Sequence, residues 1–112
     1  MTLREKQSLF ARHVARLIDR AFELGFEVTF GETWRSPAQA RLNAQRGMGI
    51  ARSLHGDRLA IDLNLFRDGK YLTETEDHRP LGEWWEQQHE LARWGGAFGD
   101  GNHYSFLHEG RK

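Results

Sequence analysis

An aspartate interrupts the most apolar stretch of the sequence, SLHGDRLAIDLNLF (53–66). Every second residue from Leu59 to Leu65 is a leucine or isoleucine, a two-residue period that predicts a β-strand with this face in the core. Asp62 then lies on the opposite face, beside the small side chain of Ala60. A carboxylate in that position has to be solvated, paired or bound to a metal ion.

Two histidines are candidates to join Asp62. His55 lies in the loop that enters this strand. His103 begins a second predicted strand, HYSFL (103–107), after a glycine-rich loop. If the two strands are neighbours in one sheet, the three side chains converge. Two imidazoles and one carboxylate suit Zn²⁺, and three protein ligands leave a fourth position for water, as in catalytic zinc sites. The alternative is an exposed aspartate on a half-solvated sheet, with each histidine an ordinary hydrogen-bonded surface or core residue.

The composition limits the other classes of function. A chain of 112 residues is the length of one domain (1–112), and the absence of cysteine excludes disulfides and thiolate metal sites. Sixteen basic and sixteen acidic residues cancel, which argues against nucleic-acid binding and against a metal-dependent nuclease. No apolar run approaches the roughly 18 residues of a membrane-spanning helix. The start, MTLREKQSLF, lacks the features of a secretory signal, so we expect synthesis in the cytoplasm.

The surrounding pattern predicts an α+β fold with a small antiparallel sheet flanked by about three helices. Thr2 and Glu5 form a capping box for a first amphipathic helix, which ends before Gly25. The alternating segment FEVTF (26–30) predicts a strand with Phe26, Val28 and Phe30 on one face.

Further elements are predicted on either side of the central strand. Ser36 is the N-cap of a second helix that runs from Pro37 to about Gly47, followed by a loop. Asp68-Gly69 marks a turn, and Pro80 to Trp94 is predicted to form a third helix.

The tryptophans of this third helix allow two interpretations. Trp84, Trp85 and Trp94 together offer a platform for a saccharide, whereas the helical spacing of the first two favours packing in the core. The remaining histidines have no supporting pattern: His13, His78, His89 and His108.

Three motifs together resemble a known family. SLHGDRLAID (53–62) resembles the S-x-H-x(6)-D element of the M15 class of zinc peptidases, the D-alanyl-D-alanine carboxypeptidase-like enzymes that act on peptidoglycan. DGNH (100–103) is similar to their second element, an acidic residue three positions before the last zinc histidine, and WRSP (34–37) to an arginine just before a helix. The motifs occur in family order, and the chain most resembles compact phage endolysins that cut the L-alanyl-D-glutamate bond.

The resemblance implies a role for each matching residue. Zn²⁺ would be the cofactor, bound by His55, Asp62 and His103. Asp100, which is glutamate in many members, would be the general base. Arg35 would polarise the scissile carbonyl, and Ser53 would contact the substrate or brace the loop of the first ligand.

Simpler interpretations of the last three residues stay open at the level of the sequence. Asp100 in GDGN is also typical of a turn. Arg35 is equally placed to be a solvated residue before a helix, and Ser53 to be an ordinary loop serine.

The function implied is hydrolysis of a peptidoglycan stem-peptide amide by a monomeric enzyme that acts at the bacterial cell wall. The chemistry agrees, because amide hydrolysis needs an activated water, a base and a partner for the oxyanion. One alternative is a D,D-carboxypeptidase on the same scaffold, which needs a donor for the terminal carboxylate of its substrate. Another is a metal-bearing binding module without catalysis, against which Asp100 argues because a binder needs no base.

Overall fold

The computed structural model describes residues 1–45 and 53–112. Within these ranges the predicted α+β class is confirmed, with three α-helices and a five-stranded antiparallel sheet. The helices are α1 (Leu3–Glu23), α2 (Pro37–Gln45) and α3 (Arg79–Glu86). The strands are β1 (Glu27–Phe30), β2 (Ala60–Arg67), β3 (Lys70–Leu72), β4 (Ala92–Trp94) and β5 (His103–Phe106). None of the helices in these two ranges has the length and apolarity needed to cross a membrane.

Helix α1 begins and ends as the sequence predicts. The backbone N–H of Glu5 donates to Thr2 Oγ1 at 3.1 Å, and Glu5 Oε1 accepts from the backbone N–H of Thr2 at 2.9 Å. Gly25 follows the helix with a φ of +89°, a left-handed conformation that glycine adopts without strain. The helix contributes one apolar stripe to the core: Phe10, Val14, Leu17 and Ala21.

The sheet is arranged in the order β1-β2-β5-β4, with β3 also paired to β2. Strand β2 is therefore central, and its predicted alternation is confirmed. The apolar face is buried in the core: Leu59, Ile61, Leu63 and Leu65. Asp68 and Gly69 connect β2 to β3 with φ values of +53° and +77°, as a two-residue hairpin turn requires.

Strand β1 is one residue shorter than the predicted segment 26–30. Phe26 is buried, whereas Phe30 at the other end of the same face is 63% exposed. Side chains on this face are therefore buried at the start of the segment and exposed at its end, where the chain continues toward α2.

The prediction of a single third helix from Pro80 to Trp94 is wrong. Helix α3 ends at Glu86, and Ala92–Trp94 forms β4 instead, paired antiparallel with β5. Two contacts hold the reversed chain against the helix. The Glu86 carboxylate accepts from the backbone N–H of Trp94 at 3.2 Å, and Trp85 Nε1 donates to the Arg93 carbonyl at 3.0 Å. Pairing with β5 and these tertiary contacts outweigh the local helical preference.

The second helix begins as predicted, with Ser36 Oγ accepting from the backbone N–H of Gln39 at 3.0 Å. It is described as far as Gln45. Its predicted extension to about Gly47 and the loop up to residue 52 lie outside the described residues.

Trp84, Trp85 and Trp94 pack in or against the core, as the helical spacing of the first two predicts. Trp85 is fully buried, Trp94 is nearly so, and Trp84 is partly buried against the core. A Cβ atom on Gly82 of α3 would overlap the ring of Trp94, so the absence of a side chain there lets the helix approach β4.

This close approach predicts that Gly82→Ala destabilises the protein. The added methyl group overlaps a buried indole, and overpacking of this kind destabilises a protein by about 1–3 kcal/mol. This cost exceeds the stabilisation that alanine gives a helix through its higher helix propensity. The measurement is the free energy of unfolding by denaturant titration. The control is Glu83→Ala, which places alanine at the next, exposed position of α3 and should change stability by less than about 0.5 kcal/mol. Equal stability of Gly82→Ala and wild type would contradict this packing.

Candidate functional site

The register of β2 and β5 brings two of the predicted residues face to face. Asp62 of β2 pairs directly with His103 of β5, and both side chains project from the face opposite the leucines. Backbone bonds flank the pair, since the N–H of Leu63 donates to the Asn102 carbonyl at 2.9 Å.

A compact turn returns His55 to the same face. The backbone N–H groups of Gly56 and Arg58 donate to the carbonyls of Ser53 and His55 at 3.0 and 3.2 Å. The turn is completed by the N–H of Leu59 donating to the Leu54 carbonyl at 3.0 Å, and Arg58 adopts a φ of +57° within it. His55 is thereby held over the beginning of β2, where the sequence predicts it.

The three side chains form a tight cluster. His55 Nε2 lies 3.2 Å and His103 Nδ1 lies 3.3 Å from the same oxygen, Asp62 Oδ1. One candidate ligand atom from each residue lies within 4.8 Å of the other two. Both histidines are buried and Asp62 is mostly buried, so the predicted convergence is observed.

The cluster holds Asp62 in its ionised form. Burial raises the pKa of this carboxyl group, but hydrogen bonds from His103 and His55, together with their charge, outweigh burial and bring the pKa to about 2. Asp62 is therefore not the solvated surface aspartate of the simpler interpretation.

The donor atoms fit a divalent metal ion. Two imidazole nitrogens and one carboxylate oxygen lie within 4.8 Å of one another, and this combination of atoms is typical of the ligands in open zinc sites. The other ring nitrogens, His55 Nδ1 and His103 Nε2, are buried and have no hydrogen-bond partner among the described residues. His55 Nε2 and His103 Nδ1 are the nitrogens directed at Asp62. Each of them offers a lone pair to the cluster when the other nitrogen of the same ring carries the proton.

Asp100 lies beside the cluster without joining it. Its Oδ2 is 4.0 Å from His103 Nδ1, and about half of its side chain is exposed. Partial burial raises the pKa of Asp100; the charge of His103 opposes this rise, and that of Asp62 adds to it. A carboxylate of raised basicity next to a candidate metal site is suited to accept a proton.

The glycine-rich loop that carries Asp100 is tied to the core. Trp94 Nε1 donates to the Gly101 carbonyl at 2.7 Å, and the Asp100 N–H donates to the Gly95 carbonyl at 2.9 Å. A Cβ atom on Gly95 would overlap the Asp100 carbonyl oxygen, so this close approach of two chain segments requires glycine. Asp100 is thus held in a braced turn, as the simpler interpretation expects, and its role as a base remains a prediction.

Arg35 also lies at the site, and it has a partner that the sequence analysis missed. The side chain of Arg35 is mostly buried, and its Nε donates to Glu32 Oε1 at 2.6 Å. The Arg35 backbone N–H lies 3.4 Å from the His55 carbonyl that accepts it. Arg35 is therefore not a freely solvated residue. In the sequence, only the spacing of three positions between Glu32 and Arg35 indicated that the two side chains could pair.

Ser53 is buried and supports the turn of the first histidine. Its Oγ accepts a hydrogen bond from the backbone N–H of His55 at 3.2 Å. This contact corresponds to the bracing role expected for Ser53, whereas contact with a substrate remains a prediction.

The other histidines lie elsewhere. His78 Nδ1 is 2.8 Å from the Tyr104 hydroxyl, and burial lowers the pKa of His78 to about 4 despite the nearby charge of Asp77. His13 packs against Trp85 and Phe106 in the core. Neither histidine belongs to the cluster of His55, Asp62 and His103.

Comparison with known proteins identifies a solved structure with a similar fold. No family model matches the chain, and no curated protein sequence matches it. Among solved structures it is similar to the crystal structure of the L-Ala D-Glu endopeptidase ChiX from Serratia marcescens, with a TM-score of 0.67 and 22% sequence identity. The similarity covers 82% of this chain and 76% of that chain. The resemblance seen in the sequence is thus confirmed at the level of the fold, in a chain that also carries a His/Asp/His cluster able to hold a metal ion.

Proposed function

We propose that this protein is a zinc-dependent peptidoglycan peptidase that hydrolyses the L-Ala–D-Glu bond of the stem peptide. The observation that carries the proposal is the convergence of His55, Asp62 and His103 within 4.8 Å of one another. Asp100 lies 4.0 Å from His103, and the backbone of Arg35 contacts His55, which supports roles for both residues in amide hydrolysis. The fold shared with an L-Ala D-Glu endopeptidase supports this choice of bond.

In this proposal the three clustered side chains hold the metal through His55 Nε2, Asp62 and His103 Nδ1. When bound, a zinc ion would act as a Lewis acid and would lower the pKa of a water molecule to about 7, so that this water could be deprotonated near neutral pH. Burial of His55 and His103 keeps bulk water from competing for their lone pairs. The low pKa of Asp62 keeps the third ligand ionised over the whole physiological range.

Asp100 takes the proton of the attacking water and returns it to the leaving amine. Its position beside the cluster rather than within it leaves its carboxylate available for proton transfer. Arg35 donates from its Nη groups to the carbonyl oxygen as negative charge develops there. The bond from Arg35 Nε to Glu32 holds the guanidinium in place, which reduces the reorganisation needed during the reaction.

The proposed substrate gives a direct test. Incubation with purified bacterial sacculi should release peptides that begin with D-glutamate and leave L-alanine on the glycan, as identified by mass spectrometry. Release of free D-alanine alone would instead identify a D,D-carboxypeptidase, and binding to the sacculi with no released product would identify a binding module without catalysis. Action at the cell wall, a monomeric state and a phage origin are parts of the same hypothesis.

Removal of a ligand should remove the metal. His55→Ala and His103→Ala each leave two donors, so we expect zinc content to fall from about one ion per chain to near zero, with loss of activity. Elemental analysis after dialysis measures this content, and a chelator should likewise abolish wild-type activity. The control is His108→Ala, a histidine near Lys6 and outside the cluster, which should keep its zinc. Full occupancy in both ligand variants would rule out these ligands.

Loss of the base should separate catalysis from metal binding. Asp100→Asn keeps the shape and removes the basicity, so activity should fall by about 10²–10⁴-fold while zinc content stays unchanged. The control is Asp68→Asn in the exposed β2–β3 turn, where asparagine tolerates the positive φ and activity should persist. Asp100→Glu should retain measurable activity if the loop accommodates one more methylene. A fully active Asp100→Asn enzyme would assign the base to another residue.

Arg35 should act in the transition state. Arg35→Ala removes a donor to the oxyanion, so kcat should fall by about 10²–10³-fold with zinc retained. Steady-state kinetics on a soluble stem peptide separates kcat from KM. A rise in KM at constant kcat would show that Arg35 only binds the substrate.

A further inference from the structure

Glu32 follows β1 and faces two parts of the site through one atom. Its Oε1 accepts the hydrogen bond from Arg35 Nε at 2.6 Å and also lies 3.8 Å from His55 Nδ1. The same carboxylate oxygen therefore lies between the guanidinium and the outer nitrogen of the first imidazole. The Glu32 side chain is about one-third exposed, so it is shielded on most sides.

The backbone around Glu32 is fixed to the residues that its side chain faces. The Asp62 N–H donates to the Glu32 carbonyl and the Gly31 N–H donates to the Asp62 carbonyl, both at 2.8 Å. A Cβ atom on Gly31 would lie 3.1 Å from Asp62 Cβ, which shows how closely the segment crosses β2. Glu32 is thus attached by its main chain to the strand that carries one candidate ligand.

The outer nitrogen of His55 lacks the acceptor that a metal-binding imidazole needs. His55 Nε2 is directed at Asp62, and its Nδ1 is buried with no hydrogen-bond partner among the described residues. When Nε2 gives its lone pair to a metal ion, Nδ1 carries the proton and becomes a donor. Metal-binding histidines usually donate this N–H to a carboxylate, carbonyl or water.

We propose that Glu32 is a positioning residue whose carboxylate accepts a hydrogen bond from His55 Nδ1 in the metal-bound protein while it also accepts from Arg35 Nε. The proposal rests on the metal site of the proposed function. A hydrogen bond of this kind spans about 2.7–3.2 Å, so the two atoms, which lie 3.8 Å apart, would approach each other by about 0.6–1.1 Å when the metal binds. Glu32 then sets the tautomer and orientation of His55 while it holds the guanidinium of Arg35.

A narrower role would be that of an ion-pair partner for Arg35 alone. In that case Glu32→Ala and Arg35→Ala would have the same consequences, confined to kcat and KM. Coupling to His55 predicts a difference between the two variants, because only the loss of Glu32 removes the acceptor for Nδ1.

The experiment measures zinc affinity by competition with a chromophoric chelator, without any substrate. Glu32→Ala should weaken zinc binding by about 10–100-fold, the range found when the partner of a metal-binding histidine is removed. Glu32→Gln keeps an acceptor oxygen and should fall between wild type and Glu32→Ala. Arg35→Ala should bind zinc as tightly as wild type. The matched control is Glu23→Gln, which removes a carboxylate from another (i, i+3) pair with arginine, on α1.

A spectroscopic readout identifies the atom involved. In the zinc-bound wild-type protein, ¹⁵N–¹H correlation spectra of the imidazole should show a His55 Nδ1–H proton shifted downfield by its acceptor. This shift should be lost in Glu32→Ala and kept in Arg35→Ala. Unchanged zinc affinity and an unchanged His55 signal in Glu32→Ala would overturn the role of Glu32 while leaving the metal site intact. Failure of the wild-type protein to bind zinc would overturn both the proposed function and this inference.

Discussion

Backbone hydrogen bonds between β2 and β5 set Asp62 directly opposite His103, although 41 positions separate them in the chain. Because side chains alternate between the two faces of a sheet, a slip of one residue in this register would turn Asp62 toward the core. The buried leucines and isoleucine of β2 prevent such a slip, since it would expose them to water. The hydrophobic core thus fixes the geometry of the polar cluster on the opposite face.

The core also positions the loop that carries Asp100. Trp94 packs so closely on Gly82 of α3 that a methyl group there would overlap its ring, and the same indole donates to the Gly101 carbonyl. The end of the glycine-rich loop is therefore held by a buried tryptophan rather than by the loop alone. His103 follows closely, with its N–H donating to the Asp100 carbonyl at 3.1 Å, so Asp100 and His103 share one support.

Neighbouring carboxylates acquire different properties from their surroundings. Asp62 is buried but lies between two imidazoles, which lower its pKa, whereas burial raises the pKa of Asp100 despite the nearby histidines. Environments that separate the pKa values of adjacent carboxyl groups are typical of sites where one stays charged and the other exchanges protons. Glu32 is the third carboxylate of the group and bonds to Arg35, so that its negative charge is matched by a cation.

Local patterns in the sequence determined the start and end of α1, the alternating faces of β2 and the turn at Asp68-Gly69, because each depends on residues close together in the chain. The spacing of the motifs also indicated which histidines belong with Asp62. Pairing decided the rest: β4 formed where the sequence predicts helix, since its backbone groups complete the edge of β5. Glu32 likewise lies at the site because β1 pairs with β2. Contacts between distant segments cannot be seen in local periodicity, so the sequence specified the chemistry of the cluster while the tertiary structure decided which groups surround it.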